Sequence, residues 1–173
     1  MPLPDMPSLS EINASTPAQL VAWLGGIFER SPWVAERVGA ARPFATAAAL
    51  HSAMVDVVQR APHERQLALL QAHPDLAGKE ARAGILTEAS TAEQKSAALD
   101  RLSRQEMATI ERNNEAYRKR FGFPFIVCVR NHDKAGIFQA FERRLANPPE
   151  QEFATALNEV YEIARLRLEK LVA

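Results

Sequence analysis

Four features of the sequence carry residue types that can do chemistry. His73 stands directly before Pro74 in the run His73-Pro74-Asp75-Leu76-Ala77-Gly78-Lys79. Imidazole titrates near neutral pH, which suits a general acid or base. A histidine closing a helix is also explained by the helix dipole, which favours a cation there. Glu93 follows Ser90 at capping-box spacing, so a helix start alone accounts for it. A glutamate in that place could equally orient an imidazole or accept from a substrate N–H. Arg167 falls inside the apolar stripe of Val160, Ala164 and Leu171. A buried guanidinium needs a partner. The choices are a structural carboxylate, the rim reached by snorkelling, or a carboxylate or ureide-like ligand gripped by the planar donor fork.

The fourth feature is Phe125-Ile126-Val127-Cys128-Val129, an apolar block that does not read as helix. Gly122 allows a sharp turn before it, and Pro124 forbids a continuing helix and turns Phe123 towards an extended conformation. An extended segment without a sheet partner must send its N–H and C=O groups elsewhere. Either it is a buried connector whose backbone binds neighbouring side chains, or its amides face a ligand.

Helices must position these groups. Thr16-Pro17 reads as a cap and first-turn proline, opening a helix to about Arg30 with Leu20, Trp23, Leu24 and Ile27 on one stripe. Gly25-Gly26 inside it suggests close helix packing. Ser31-Pro32 repeats the device for a helix to about Val38, with Trp33 and Val34 both entering the core, Trp33 as an aromatic anchor. Further helices are expected over Thr46 to Arg60 and over Pro62 to Ala72, the latter stopped by Pro74. Residues from His73 to Lys79 then form a loop. Ser90 opens a helix through about Arg101, and Ser103 to Arg120 is a long helix. Asn114 on its apolar face wants hydrogen-bond partners and is read as tying down the turn at Gly122. Asp133 caps a helix to about Ala146, and the last helix runs from Pro149 to Leu171. The expectation is an all-α, compact single-domain bundle of about eight helices with one short extended apolar segment.

Composition narrows the function. The chain has 173 residues, with 21 Lys+Arg against 21 Asp+Glu. A net charge of zero gives no electrostatic footprint for nucleic acid and no polybasic membrane patch. Cys128 is the single cysteine, so no disulfide forms within the chain and no thiolate cluster exists. His51, His63, His73 and His132 are scattered, without a His-Glu-x-x-His pair, which argues against a metal site. Glycine-rich phosphate loops and a Gly-x-Ser-x-Gly elbow are absent. No apolar run reaches membrane-spanning length. Met1 to Asn13 lacks the apolar core of a leader, so the expected location is cytoplasmic. The expected partner is a small molecule.

Taken together, several runs resemble one family. They are Ser31-Pro32-Trp33-Val34-Ala35-Glu36-Arg37, His73 to Lys79, Ser90-x-x-Glu93-Gln94, and Asn114-x-x-Tyr117 leading into Phe121-Gly122-Phe123-Pro124-Phe125. The chain resembles the OHCU (2-oxo-4-hydroxy-4-carboxy-5-ureidoimidazoline) decarboxylase family of urate-to-allantoin conversion over nearly its whole length. Departures are small: Ala98 stands where many members have glycine, and Arg120 where lysine is usual. The resemblance implies a compact all-helical enzyme of purine catabolism, often a homodimer, with no cofactor. It implies that His73 is catalytic, with Glu93 as its working partner and Pro74 lining the pocket. Ser90, Thr91, Ala92, Glu93 and Gln94 match a substrate-binding stretch. Phe125, Ile126, Val127, Cys128 and Val129 match a backbone segment that binds the ring and ureido groups, and Arg167 matches an arginine at the site. The implied product is (S)-allantoin. Alternatives are an enzyme of the same fold acting on another ureide or hydantoin acid, and an inactive helical interaction module.

Overall fold

Caps and prolines set most helix boundaries. The structure, a computed structural model, describes residues 5–173; the reading of the first four residues as part of a leaderless segment lies outside them. Among the described residues there are ten α-helices and two short 3-10 turns, and the protein is all-α. In order they are α1 (Leu9–Ala14), α2 (Pro17–Leu24), α3 (Trp33–Val38), α4 (Ala47–Gln59), α5 (His63–Gln71), α6 (Lys79–Ala83), α7 (Glu88–Ser96), α8 (Arg104–Phe121), α9 (Lys134–Leu145) and α10 (Pro149–Leu171). The two beyond the expected eight are short. α1 is set by a capping box between Ser8 and Glu11; α6 ends at Gly84 in the left-handed region.

Other boundaries follow the sequence signals closely. Thr16, Thr46, Ser103 and Asp133 each accept a backbone N–H as N-caps, which satisfies donors that the first turn leaves unmet. Gly122 ends α8 at φ 81°, where a Cβ would be strained. Two expectations change. α2 stops at Leu24 with Gly25 as its C-cap, so the glycine pair terminates the helix and does not pack it. Ser31 does not cap α3; its hydroxyl donates to the Glu29 carbonyl at 2.9 Å, and Pro32 holds the cap position.

The chain divides into two units, Met1–Ala72 with Tyr161–Ala173, and His73–Val160. In the first, α3 packs on α2 and α4, and Leu20, Leu24, Phe28, Val34, Leu50 and Met54 are buried. Trp33 is only half-buried; the guanidinium carbons of Arg37 and Arg65 lie 5.6 and 5.1 Å from its ring centroid. Arg167 belongs to this unit. Its Nη2 pairs with Glu29 Oε2 at 2.7 Å, and its Nη1 donates to the Gly26 carbonyl at 3.2 Å.

The second unit is built on aromatic rings and one buried carboxylate. α8 packs on α9. The Tyr117 ring lies 4.6 to 6.0 Å from the rings of Phe121, Phe123, Phe125 and Phe141, and Phe125 stacks on Phe141 at 3.9 Å. Glu152, fully buried in the first turn of α10, accepts from the Tyr117 hydroxyl and from Arg144 Nε at 2.7 Å. Asn147 Nδ2 donates to its other oxygen at 3.0 Å. Burial first, and then the Glu152 hydrogen bond, push the Tyr117 phenol above its ordinary pKa, so it remains a donor at neutral pH. Arg144 also covers the Phe125 ring, 4.4 Å from its centroid.

Removing one member of a buried ion pair strands the other charge in low dielectric. Glu152→Ala should therefore lower unfolding free energy by about 3 to 5 kcal/mol, read as a fall in the urea midpoint. An unchanged midpoint would mean that Arg144 finds solvent or another acceptor.

Candidate active site

The His73 loop begins where α5 is forced to end. Pro74 disfavours helical backbone in the preceding residue, and α5 closes at Gln71 with Ala72 as C-cap. His73 is then 7% exposed in the turn that follows. The next residues are also largely out of solvent: Leu76, Ala77 and Gly78 are buried, Pro74 and Asp75 half-buried. Ala77 has a left-handed φ of 48°, which costs an L-residue roughly 1 kcal/mol or more. A Cβ on Gly78 would sit 2.7 Å from Asp75 Cβ, so that position has no room for a side chain without movement.

Three side chains hold this backbone in place. Gln94 Oε1 accepts from the Ala77 amide at 2.9 Å, and its Nε2 donates weakly to the Asp75 carbonyl at 3.4 Å. Asn114 Nδ2 donates to the Leu76 carbonyl at 3.0 Å. Arg118 Nε pairs with Asp75 Oδ1 at 2.9 Å. Asn114 thus ties down the histidine loop, not the turn at Gly122 as its position in the sequence suggested. Its spacing put it on the buried face of α8, but the carbonyl it meets lies 38 residues away.

The stretch from Ser90 to Gln94 lies within α7. The cap is Thr87, whose Oγ1 accepts from the Ser90 amide at 3.2 Å, and the helix ends at Ser96. The expected start at Ser90 and end near Arg101 are therefore both shifted towards the N-terminus. Ser90 is not an N-cap, so no Ser90–Glu93 capping box forms and helix capping does not explain Glu93. On α7, Ser90 and Gln94 are buried, Thr91 and Glu93 half-buried, and Ala92 exposed. α7 packs against the 3-10 turn Val129–Asn131, which directly follows the apolar segment.

That segment is buried from Phe123 to Val129, and Cys128 is in the extended region. Some of its backbone groups meet neighbouring side chains. Arg144 Nη1 donates to the Ile126 carbonyl at 2.6 Å, and the Cys128 amide reaches Glu159 Oε2 at 3.4 Å. The amides of Ile126 and Val127 donate to no other described residue. The connector reading holds at the Ile126 carbonyl and the Cys128 amide, while the Ile126 and Val127 amides are left as donors without another described partner.

Unit 2 thus contains the His73 loop, the Ser90 to Gln94 stretch and the apolar segment; Arg167 belongs to unit 1. A cavity of about 680 Å³ in unit 2 is lined by Asp75, Gly78, Arg82, Glu111 and Arg118 among others. His73 is not in its wall, and two of its charge pairs are internal, Asp75–Arg118 and Arg82–Glu111. Cavity size therefore does not locate the reactive groups. Sequence reasoning missed Arg144, Glu152 and Glu29. Arg144 was findable, because it continues the apolar stripe of Ile137 and Phe141 just as Arg167 continues its own. Among the described residues no group of three or more His, Cys, Asp or Glu side chains could hold a metal ion.

Comparison with known proteins gives a consistent picture. A family model described as OHCU decarboxylase matches residues 13–169. The chain is 47% identical over 161 residues to a 2-oxo-4-hydroxy-4-carboxy-5-ureidoimidazoline decarboxylase of Haloferax volcanii, covering 93% of this chain and 94% of that one. It is 40% identical over 165 residues to a Bacillus subtilis uric acid degradation bifunctional protein, covering 95% of this chain and 33% of that one. A crystal structure of (S)-allantoin synthase superposes with a TM-score of 0.74 at 32% identity, covering 95% of this chain and 54% of that one. Ala98 adopts a φ of 57°, where a Cβ is unfavourable.

Replacing Asn114 with Leu leaves the buried Leu76 carbonyl without its donor. That should cost about 1 to 3 kcal/mol, and hydrogen exchange at Ala77 and Gly78 should accelerate more than in the helices. Uniform acceleration across the chain would show that Asn114 supports the fold at large and not this loop.

Proposed function

The chain belongs to the OHCU decarboxylase family, and on that premise we propose that it decarboxylates 2-oxo-4-hydroxy-4-carboxy-5-ureidoimidazoline to (S)-allantoin. This is the last step in converting urate to allantoin. The observation that supports the reading most is that unit 2 holds a buried His73 on a clamped loop, the half-buried Glu93 of α7, and buried amides at Ile126 and Val127 that donate to no other described residue. An interaction module would have no need of such amide donors and a restrained histidine in one unit.

The chemistry suits these groups. The substrate carries a hydroxyl and a carboxylate on one ring carbon, next to a C=N bond. When the bond to the carboxylate breaks, its electron pair forms a C=C bond and the C=N electrons move to nitrogen, which takes up a proton. CO2 leaves, and an enol-like intermediate remains. The substrate is its own electron sink, so the reaction calls on the protein for orientation and proton delivery. His73 delivers the proton to one face of the intermediate, with Glu93 setting its tautomer and basicity. One-sided delivery gives the S product; in water either face is protonated. Pro74 lines the pocket, Ser90, Thr91, Ala92 and Gln94 contribute to the binding stretch, and the backbone of Phe125 to Val129, whose Cys128 amide is already directed to Glu159, binds the ring and ureido groups. Gln94 does so while its side chain holds the His73 loop. By the family resemblance Arg167 is read as a further substrate-binding residue; within unit 1 its guanidinium is held by Glu29 and the Gly26 carbonyl. The working form is read as a cytoplasmic homodimer, which light scattering after size-exclusion chromatography would check. None of the described helices is long and apolar enough to cross a membrane.

The substrate can be generated in situ from urate with urate oxidase and hydroxyisourate hydrolase, and the reaction followed by near-UV circular dichroism. The wild-type protein should give rapid growth of an optically active allantoin signal. His73→Asn should reduce the trace to the uncatalysed, racemic decay, while the far-UV helical signal is retained. A slow wild-type trace would remove this substrate, and normal turnover by His73→Asn would remove the histidine from the mechanism.

A further inference from the structure

The mechanism gives Arg144 no part, yet its guanidinium makes a short contact with the proposed substrate-binding segment. It is 3% exposed, and its position is fixed from three directions. Nε donates to Glu152 Oε1 at 2.7 Å, Nη1 donates to the Ile126 carbonyl at 2.6 Å, and the group lies 4.4 Å from the centroid of the Phe125 ring. Glu152 is itself held by Tyr117 and Asn147. A planar fork can serve a carboxylate and a carbonyl at once, which an ammonium cannot do with the same geometry.

The carbonyl that Arg144 grips and the amide of Val127 belong to one planar peptide unit. In a trans peptide the C=O and N–H point in opposite directions. Arg144 therefore occupies one edge of the segment, and the Val127 N–H points to the other. The next amide on the Arg144 side, that of Cys128, is directed to Glu159 Oε2 at 3.4 Å. The Val127 N–H donates to no other described residue, although Val127 is 3% exposed. A charge-assisted hydrogen bond to the carbonyl draws electron density out of the peptide and makes the N–H at its other end a stronger donor.

We propose that Arg144 is a positioning residue: held by Glu152, it fixes and polarises the Ile126–Val127 peptide so that the Val127 N–H binds negative charge developing on the substrate. This rests on the decarboxylase reading above, in which that segment binds the ring and ureido groups. The Val127 donor then binds the transition state, in which the C=N electrons move onto nitrogen, more tightly than the ground state, in which the negative charge sits on the carboxylate, which places its effect in kcat more than in KM.

The test removes the polarisation without stranding a charge. The triple variant Tyr117→Phe, Arg144→Met, Glu152→Leu replaces the buried polar cluster with apolar groups of similar size, a change that often leaves stability unaltered or raised. Its kcat should fall at least about tenfold with KM changed far less, its far-UV helical signal should be retained, and the Val127 amide proton should move upfield in the 15N–1H spectrum. Wild-type kcat in a folded triple variant, or an unmoved Val127 resonance, would overturn the proposal while leaving the decarboxylase reading intact. If the triple variant does not fold, Arg144→Lys retains the charge beside Glu152 but cannot also span to the Ile126 carbonyl. The same fall in kcat and upfield shift are expected there, and their absence overturns the proposal. Inactivity of the wild type on this substrate would instead sink the decarboxylase reading, and the Val127 resonance would still decide whether Arg144 polarises the peptide.

Discussion

The second unit depends on the buried carboxylate of Glu152. It sits where a charge is costly, and it is tolerated because its oxygens accept from Tyr117, Arg144 and Asn147. The consequences spread outward. Tyr117 anchors the ring cluster with Phe121, Phe123, Phe125 and Phe141. Arg144, neutralised by Glu152, reaches the Ile126 carbonyl. The segment after Pro124 has no strand partner, so this arrangement fixes a backbone that secondary structure leaves unsupported.

The same logic, with two side-chain amides and an ion pair, governs the His73 loop. A proline ends the helix, and the chain then passes through a left-handed alanine and a glycine crowded against Asp75. Such backbone persists only where its surroundings hold it. Gln94, Asn114 and Arg118 do so from α7 and α8. A loop fixed at Asp75, Leu76 and Ala77 limits how far His73 can move. In unit 1 the Arg167–Glu29 pair answers the buried guanidinium of α10. That is the structural partner the sequence had left open beside a ligand role, and the two are compatible, because a guanidinium carries several donors.

Much of the fold was legible because helix boundaries are local. Thr16, Thr46, Ser103 and Asp133 cap amides within three residues of themselves; Pro74 ends a helix by restricting the residue before it, and Gly122 by its freedom to enter the left-handed region. The errors occurred where two local signals competed. Thr87 and Ser90 can both cap, and Thr87 does so. Gly25-Gly26 can mark close packing or a helix end, and it marks an end. α1 and α6 are six and five residues long, too short for an apolar stripe to reveal them.

The sequence by itself determined the helical class, nearly all the element order and the chemical types offered to a site: an imidazole before proline, a glutamate after serine, an apolar segment barred from helix. These follow from interactions a few residues long, so their cause is visible in neighbouring letters. Only the tertiary structure decided which polar group meets which. Glu152 lies 35 residues from Tyr117 and 8 from Arg144, and Asn114 finds a carbonyl 38 residues away. The strength of a buried hydrogen bond or ion pair depends on distance and desolvation in three dimensions, and no spacing along the chain encodes either.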